Sequence, residues 1–375
     1  MSKKKHLTKR QKMRKRRKRI LITEVIVLLF LSLFLFAWLK LGLINFNKIG
    51  EIATNNLDAE TEEMLKGYTT IALFGVDNRS NGNYDSGNSD SIMIAAINND
   101  TKEVKIVSVY RDTALDVDGD KTIRKANYAY NHGGPEEAIA MLNRNLDLDI
   151  QDYVAVDFNA LVEAVDAVGG VEITLTNEEI EIINEKGYMN EVASVTGHED
   201  EVKTLKAGTQ TVNGVVATAY CRIRYTSGGD FARAERQRTV VSQLIAKAQN
   251  ASLTELNSLI DGVFPKISTS LSLNQLIGLA AGMKDYQLAD STGFPFALRT
   301  GTISSKTGSL DVPCTLESNV KSLYAYLYGE ENYQPSAIVQ DISSYIEKQS
   351  GYDENDATDY GYGTTQTSDG SESSK

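Results

Sequence analysis

The sequence is poor in the residues on which several protein classes depend. It has 2 cysteines, 5 prolines and 3 histidines among 375 residues. Two cysteines exclude a disulfide-rich scaffold and a multi-cysteine metal site. His6 lies in a basic N-terminal arm, so only His132 and His198 remain beyond it. This scarcity argues against a histidine–zinc enzyme and against a histidine-based triad. Cys221 is expected to be buried, and a bridge to Cys314 stays open.

Basic residues are also scarce outside one segment. The chain has 39 Lys and Arg against 50 Asp and Glu, a formal charge of -11. Twelve of the basic residues lie between Lys3 and Arg19, where no acidic residue occurs, so the rest of the chain has a net charge of -23. This balance excludes a generally basic nucleic-acid binder. The basic arm and the acidic remainder therefore have to be considered separately.

An apolar run follows the basic arm. Residues 20–39 read ILITEVIVLLFLSLFLFAWL, in which only Thr23, Glu24 and Ser32 are polar. About 20 such residues suffice to cross a bilayer as a helix. The positive-inside rule leaves the arm in the cytoplasm and the long body outside. A cleaved signal peptide would need a shorter run and a clear cleavage site. We therefore expect a cytoplasmic arm at residues 1–19, a transmembrane signal anchor at residues 20–40 and an extracellular body, in a single-pass protein of the cell membrane.

Strand-like and helical patterns alternate beyond a polar stalk at residues 41–67. Predicted strands include TTIALFGV, SIMIAAI, VKIVSVY, YVAVDF and, at residues 217–225, ATAYCRIRY. Helical spacing covers residues 135–146 and 231–249, among others. The alternation predicts a single layered α/β domain with a central mixed sheet flanked by helices. Its catalytic part would span residues 68–250, residues 251–349 would complete the same domain, and residues 350–375 would form a disordered tail.

Arginines concentrate within this acidic body. Nine of the ten beyond residue 19 lie between Arg79 and Arg238. Because the guanidinium fork matches phosphate oxygens, their grouping predicts anion recognition. If residues 217–225 form a strand, Arg222 and Arg224 share one face. On the following helix, Arg233 and Gln237 share a face with apolar residues. Any one arginine could equally pair with a carboxylate.

Two aspartates stand at predicted strand ends. Asp77 closes TTIALFGV, and Asp90 opens the next strand after a polar loop that also contains Asp85. Hard oxygen ligands of this kind suit Mg²⁺, which keeps several waters and is completed by substrate phosphates. Pairing of the same aspartates with the arginines fits the pattern equally well.

Several established catalytic patterns are missing. The sequence contains neither the GxxxxGK[ST] phosphate loop nor HExxH, and no GxGxxG follows a predicted strand. An extracellular body also has no nucleotide available. We therefore expect neither nucleic acid nor nucleotide as a ligand.

A series of spaced motifs resembles the LytR-CpsA-Psr family of cell-wall glycopolymer transferases. They occur in the family's order across residues 68–250 as GVDNRS with the downstream SDS, SVYRDT, KANYAY followed by GG, VDAVGGV, YCRIRY and DFARAERQR. Three positions depart from the family's usual residues: Tyr110 replaces a proline, Tyr128 a histidine and Ala232 a glycine. None of these changes removes a charged group.

The resemblance implies a hydrophobic groove for a polyprenyl tail and arginines that hold its pyrophosphate. Asp77 and Asp90 would be ligands of a Mg²⁺ cofactor, and Arg111, Arg224 and Asp77 would carry catalysis. The pyrophosphate would be surrounded by Arg79, Arg111, Lys125, Arg222, Arg224, Arg233 and Gln237. The general base stays open among Asp77, Asp90 and Asp230.

The implied function is a membrane-anchored phosphotransferase that moves a phosphoglycopolymer, such as teichoic acid or capsule, from a polyprenyl-pyrophosphate carrier to peptidoglycan. Its partners would be the lipid-linked donor, the peptidoglycan acceptor and the lipid bilayer. Two alternatives remain: a polyprenyl-pyrophosphate hydrolase that uses the same arginines, and a non-catalytic surface protein that binds a polyanion.

Overall fold

The computed structural model describes residues 42, 44–77, 84, 87–305 and 307–363. The chain divides into a unit Met1–Ile44 and a unit Asn45–Lys375, and the fold below is that of the second unit. In the described part of the chain, no helix has the length and apolar character needed to span a membrane. The predicted arm and signal anchor at residues 1–40 lie outside the described residues.

The centre of this unit is a mixed sheet of eight strands in the described residues. The fourteen described strands are β1 (Asn45–Phe46), β2 (Tyr68–Asp77), β3 (Asn88–Asn98), β4 (Glu103–Val109), β5 (Ala114–Asp116), β6 (Ile123–Lys125), β7 (Asp152–Val156), β8 (Val171–Leu175), β9 (Gly208–Val212), β10 (Ile267–Thr269), β11 (Gln287–Leu288), β12 (Thr292–Phe294), β13 (Leu298–Gly301) and β14 (Leu310–Pro313). The sheet order is β1-β10-β7-β2-β3-β4-β11, and β12 also pairs with β4.

Helices cover both faces of the sheet. The eleven described α-helices are α1 (Ala59–Lys66), α2 (Asn127–Leu146), α3 (Phe158–Ala167), α4 (Asn177–Glu185), α5 (Tyr188–Thr196), α6 (Gly214–Tyr220), α7 (Gly229–Gln249), α8 (Leu253–Val263), α9 (Leu273–Gly282), α10 (Leu316–Tyr328) and α11 (Ala337–Ser350). The predicted single α/β domain with a mixed sheet and helices is therefore confirmed.

Strand β3 shows why its sequence is a nearly continuous apolar run. Ile92 and Ile94 belong to the main core, which includes residues of α2, α10 and α11. Met93 and Ala95 point to the opposite face and pack with residues of α7 and α9. Because alternate side chains of a strand point to opposite faces, a strand covered on both sides has to be apolar at nearly every position.

The prediction of a strand at residues 217–225 is wrong. Gly214–Tyr220 forms helix α6, and the Asn213 side chain caps it by accepting a hydrogen bond from the Val216 amide. A Cβ atom on Gly214 would lie 2.3 Å from the Val162 carbonyl oxygen, so α6 packs directly on α3. This tertiary contact outweighs the weak strand preference of the segment. Arg222 and Arg224 consequently lie in the connection between α6 and α7.

Both ends of the body are more structured than their polar composition predicts. In the predicted stalk, β1 pairs with β10, and Ile52 and Leu65 are buried in the main core. Near the other end, residues 351–363 were predicted to lack order, but the Tyr360 ring packs on Phe231 with a centroid distance of 4.8 Å. A few large apolar side chains are enough to hold such a segment against the core. The average composition of the segment does not reveal these side chains.

Both cysteines are buried and free. The expected burial of Cys221 is confirmed. The disulfide bond to Cys314, which the sequence left open, is not formed.

Candidate functional site

An apolar cavity of about 390 Å³ lies beside the central sheet. Strands β2, β3 and β7 and helices α3 and α7 supply most of its walls. Its apolar lining includes Leu73, Val154, Leu161, Ala164, Val240, Val241 and Leu244. Polar side chains line it as well, among them Asp77, Asp90, Arg222, Arg224, Arg233 and Gln237. Cavities of roughly 300–1,000 Å³ are typical of small-molecule sites.

Sheet topology brings these polar groups to one edge. Strands β2 and β4 are both antiparallel to β3. The end of β2 with Asp77, the beginning of β3 with Asp90 and the end of β4 just before Arg111 therefore meet at the same edge. Strand β7 runs parallel to β2, so the N-terminus of α3 lies at that edge too. The site therefore lies at the ends of four strands that are neighbours in the sheet, in the order β7, β2, β3 and β4.

A bulge turns Asp90 toward the cavity. Gly75 pairs with Ser91, whereas Val76 pairs with Ser89, so Asp90 is the extra residue of β3. In an uninterrupted strand, Asp90 would share a face with Ile92, which belongs to the main core. The bulge instead places Asp90 in the wall of the apolar cavity, and bulges often re-aim side chains in this way near functional sites.

Asp90 holds the first two arginines. Its Oδ1 atom lies 2.7 Å from Arg111 Nη1, and its Oδ2 atom lies 3.0 Å from Arg224 Nη2. Burial alone would raise the pKa of Asp90, but the neighbouring guanidinium groups, with Arg233 first, hold it below its usual range. Asp90 therefore stays ionised and keeps the forks of Arg111 and Arg224 close together.

Asp230 joins a third arginine to the group. Its carboxylate oxygens lie 3.6 Å from Arg111, 3.6 Å from Arg224 and 3.3 Å from Arg233. Arg233 is only 4% exposed. Burial lowers the pKa of Arg233 to about 10, and the positive charges of Arg111 and Arg224 contribute to this shift, although the nearby carboxylates oppose it. Three guanidinium groups thus share two carboxylates.

The predicted helix face is confirmed on α7. Arg233 and Gln237 line the apolar cavity together with Val240, Val241 and Leu244. Gln237 Nε2 lies 3.4 Å from the Cys221 carbonyl oxygen, which ties α7 to the connection that follows α6.

Arg222 occupies a partly aromatic wall. Its guanidinium carbon lies 5.0 Å from the ring centre of Phe158 and 5.2 Å from that of Tyr188, close enough for cation–π attraction. Its Nη2 atom pairs with Glu191 at 3.1 Å.

Lys125 lies further out and reaches the arginine group through Asp112. The Asp112 carboxylate lies 2.7 Å from Lys125 Nζ and 3.5 Å from Arg111 Nε.

Other arginines of the sequence cluster serve different purposes. Arg236 pairs with buried Glu179 at 2.8 Å, and Arg124 stacks over Tyr128 at 4.7 Å. Arg238 donates a hydrogen bond to the Tyr362 carbonyl oxygen in residues 351–363, called the C-terminal segment below. Arg79 and Asp85 fall outside the described residues. The grouping of arginines in the sequence therefore includes more of them than the structure places at the cavity.

Several guanidinium nitrogens at the cavity are short of acceptors. Within the described residues, Arg233 Nε, Arg233 Nη1 and Arg222 Nη1 are buried and form no hydrogen bond. Leaving such donors unsatisfied costs free energy of about 1–3 kcal/mol each. Oxygen atoms of a phosphate or pyrophosphate group would satisfy them, whereas a neutral apolar ligand would not. The cavity therefore combines an apolar chamber with an end that presents unsatisfied guanidinium donors.

The residues also fit a divalent cation. Asp77 and Asp90 are hard oxygen donors on adjacent strands, and both line the cavity beside the arginines. Two carboxylates completed by phosphate oxygens and waters are the usual surroundings of Mg²⁺. Asp77 and Asp90 are the residues that would hold it.

Several residues of the site carry no sequence signal of their own. The pairing of Asp112 and Glu191 with site cations depends on segments that are distant in sequence. Asp112 adjoins Arg111 in the SVYRDT motif, which is the one hint that the sequence offers. Nothing marks Glu191 or the aromatic wall at Phe158 and Tyr188, because these contacts arise only from the packing of α3 and α5.

A comparison with protein families assigns the chain. The model of the LytR_cpsA_psr family matches residues 44–295. The chain belongs to this family. The resemblance seen in the spaced motifs is thereby confirmed, and the match extends it at both ends.

Individual relatives agree with this assignment. The chain is 29% identical over 305 residues to Biofilm regulatory protein A of Streptococcus mutans, covering 72% of each chain. It is 31% identical to the polyisoprenyl-teichoic acid–peptidoglycan teichoic acid transferase TagU of Halalkalibacterium halodurans, over 55% of this chain and 62% of that protein. The chain thus spans about two thirds of the length of these relatives.

The fold is also found among solved structures. The crystal structure of protein gbs0355 from Streptococcus agalactiae matches with a TM-score of 0.60 and 25% identity, covering 76% of this chain and 93% of that one.

Proposed function

We propose that this protein is a membrane-anchored phosphotransferase that moves a phosphoglycopolymer from a polyprenyl-pyrophosphate carrier to peptidoglycan. The observation that carries the proposal is the position of Arg222, Arg224 and Arg233 at an apolar cavity. This arrangement suits a ligand with a long apolar chain and a doubly phosphorylated head. The name of TagU, a polyisoprenyl-teichoic acid–peptidoglycan teichoic acid transferase, supports the same reaction. Teichoic acid is accordingly the first polymer to test.

The chemistry follows from the charges in the site. Transfer breaks the pyrophosphate bridge and leaves polyprenyl phosphate, so negative charge builds up on the leaving oxygens. Arg111, Arg224 and Arg233 are preorganised to neutralise this charge, which is the largest contribution that most active sites make. The donor is already activated, so the reaction needs no nucleotide. Mg²⁺ held by Asp77 and Asp90 would supply further Lewis-acid stabilisation of the phosphate oxygens.

Replacement of Arg224 by alanine tests the role of the cluster. We expect Arg224→Ala to abolish transfer from a purified lipid-linked donor, and Arg111→Ala to do the same, while the fold stays intact. The matched control is Arg299→Ala, because Arg299 is exposed and pairs with Asp356 away from the cavity. Near-normal turnover of Arg224→Ala would contradict the assignment.

The metal requirement has a separate test. We expect the Asp77→Asn variant to need more Mg²⁺ than the parent for half-maximal transfer, because one of two oxygen donors loses its charge. Titration of Mg²⁺ into both proteins measures this. Superimposable titration curves would exclude Asp77 as a ligand.

Product analysis distinguishes transfer from hydrolysis, which the same arginines could support. Transfer predicts a polymer covalently joined to a peptidoglycan fragment, and little released polymer without that acceptor. A polyprenyl-pyrophosphate hydrolase would release polymer equally fast in both conditions. Simple docking of a polyanion on the surface is disfavoured by the burial of Arg233, which is 4% exposed.

The predicted signal anchor would place this site at the membrane. We propose a cytoplasmic N-terminus and an extracellular catalytic body, because the lipid-linked donor is then delivered in the same bilayer that holds the protein. Protease accessibility of the body in intact cells tests this orientation.

A further inference from the structure

A second cavity lies next to the arginine group. It has a volume of about 470 Å³. Its walls come from the turn before α7, from β13 and β14, and from the C-terminal segment. They include Asp112, Ser227, Asp230, Phe231, Thr300, Ser309, Asp311 and Tyr360. The volume again falls in the range of roughly 300–1,000 Å³ that is typical of ligand sites.

Asp230 links the two cavities, because it lines the second one and pairs with Arg224 at 3.6 Å and Arg233 at 3.3 Å, which both line the first. Asp112 also lines the second cavity and lies 3.5 Å from Arg111. A molecule in the second cavity would therefore lie against the opposite side of the carboxylates that hold the phosphate-binding arginines. A nucleophile held in this cavity would thus be close to a phosphate group bound by those arginines.

The wall chemistry selects the class of ligand. Asp112, Asp230 and Asp311 all line the second cavity, and its described lining contains no Lys or Arg, so it offers a second phosphate or another anion no cationic partner. Carboxylates are strong acceptors for hydroxyl groups, and the rings of Phe231 and Tyr360 offer apolar surface for the C–H face of a sugar. An uncharged, hydroxyl-rich ligand fits this combination.

Asp311 is the carboxylate that remains available to receive a proton. Asp112 is paired with Lys125 at 2.7 Å, and Asp230 is paired with arginines. Asp311 forms no ion pair with any other described residue; its Oδ1 accepts a hydrogen bond from the Thr300 hydroxyl at 3.3 Å. Its backbone amide donates to the Asp112 carbonyl oxygen at 2.9 Å, which fixes it beside the arginine group.

We propose that the second cavity binds the hydroxyl-bearing sugar of the acceptor glycan, and that Asp311 accepts the proton of the attacking hydroxyl. In this step the hydroxyl oxygen forms a bond to the phosphorus that carries the polymer. The bond from that phosphorus to the bridging pyrophosphate oxygen breaks. Polyprenyl phosphate leaves against the arginines, and the hydroxyl proton moves to Asp311. The inference rests on the proposed transferase function.

The surroundings of Asp311 suit this role near neutral pH. Burial raises the pKa of Asp311 to about 7, and the charges of Asp112 and Asp230 add to the rise. The Thr300 hydrogen bond and the charge of Lys125 oppose it more weakly. A base with such a pKa is deprotonated for much of the time at neutral pH and still binds a proton firmly enough to assist the reaction.

The test measures donor binding and acceptor kinetics separately in the full-length protein. The probes are a short prenyl-pyrophosphate-linked sugar as donor and a soluble peptidoglycan glycan fragment as acceptor. We expect Asp311→Asn to bind the donor like the parent but to lower kcat by about 100-fold or more. We expect Tyr360→Ala to raise the KM for the acceptor by about tenfold and to leave donor binding unchanged. The control is Asp341→Asn, because Asp341 is exposed and pairs with Lys121.

The pH profile provides the decisive readout. The parent's kcat should fall as the pH drops through about 7, and the residual kcat of Asp311→Asn should lack this fall. If the parent transfers polymer but both variants keep its kcat, acceptor KM and pH profile, the assignment of the second cavity is overturned. If the parent transfers nothing to the acceptor and only hydrolyses the donor, the proposed function itself fails.

Discussion

Single residues in this protein carry charges whose environment differs greatly from water. Asp90 and Asp311 are both aspartates near the same arginine group, yet their pKa values shift in opposite directions. Asp90 touches two guanidinium groups directly, so its charged form is stabilised. Asp311 is 6% exposed and has carboxylate neighbours, so its charged form is destabilised. Direct contact with cations, and not burial alone, decides the outcome.

The raised pKa of Asp311 predicts a dependence of stability on pH. Between the unfolded value of about 3.9 and the folded value of about 7, the folded protein binds more protons than the unfolded chain. The contribution of Asp311 to stability therefore falls as the pH rises through this window. We expect Asp311→Asn to raise the melting temperature at pH 8 more than at pH 5. Thermal melts of this variant, the parent and Asp341→Asn measure the effect, and equal shifts at both pH values would contradict it.

Arg236 illustrates an arginine whose role is structural. It pairs with Glu179 and also donates to the Ile223 carbonyl at 3.2 Å and to the Thr226 hydroxyl at 2.9 Å. These bonds fix the connection that carries Arg222 and Arg224. Arg236 and Glu179 are both buried, at 7% exposure each.

We expect Arg236→Met to lower the free energy of unfolding by about 3–5 kcal/mol, because Glu179 is left as a buried charge without its partner. Donor binding should weaken as well, since the connection with Arg224 loses its support. Urea unfolding and a donor-binding titration measure the two effects. Arg299→Met serves as control and should cost less than about 1 kcal/mol, because its ion pair is exposed. Equal losses in both variants would argue against this structural role.

At the scale of elements, local patterns predict the regular parts well. Strands β2, β3 and β4 follow from their apolar runs, and α7 follows from the spacing of Arg233, Gln237 and Val240. The patterns fail at α6, where a segment rich in β-branched and small residues becomes a helix. The Asn213 cap is a local signal just before the segment, whereas the close approach of Gly214 to α3 is a tertiary feature that the residues of α6 alone do not reveal.

The contact between α6 and α3 can be tested with two glycine substitutions. A Cβ at Gly214 would lie 2.3 Å from the Val162 carbonyl oxygen and 2.6 Å from Val162 Cα, whereas a Cβ at Gly278 of α9 would meet nothing within 4 Å. We expect Gly214→Ala to destabilise the protein by about 1–3 kcal/mol or more through overpacking. Gly278→Ala should stabilise it by about 0.5–1 kcal/mol, because alanine suits a helix interior better than glycine. Denaturant unfolding of both variants gives the comparison, and similar midpoints would disprove the close contact.

At the scale of the whole molecule, the sequence predicts the arginine end of the site better than the second cavity. The spaced motifs name Asp90, Arg111, Arg224 and Arg233, and the structure brings all four together. The second cavity draws on Asp112 and Asp230, which lie in the motifs SVYRDT and DFARAERQR, but also on residues near positions 300, 311 and 360, which lie in no motif and share no periodicity. Their proximity depends on β13, β14 and the C-terminal segment folding back over the start of α7, and composition alone predicts the opposite for that segment.

The C-terminal segment completes the fold around Tyr110 and Phe231. The Tyr362 carbonyl accepts hydrogen bonds from the Tyr110 hydroxyl at 3.0 Å and from Arg238 Nη2 at 3.5 Å, and the Tyr360 ring covers Phe231. Tyr110, which replaces the family's usual proline, thus finds its polar partner in this segment. Removal of the segment would expose an aromatic cluster and leave a buried guanidinium and a buried hydroxyl without their acceptor.

We therefore expect a variant that ends at Asp356 to unfold at a lower urea concentration than the parent. Each buried polar group that loses its partner costs about 1–3 kcal/mol, and the exposed aromatic surface adds to this loss. A variant that ends at Gly363 is the control, because it retains every described contact of the segment. The shorter variant should also show a raised KM for the acceptor, since the wall at Tyr360 is gone, with donor binding less affected. Equal unfolding midpoints for the two truncations would show that the segment contributes nothing to stability, whatever its contacts.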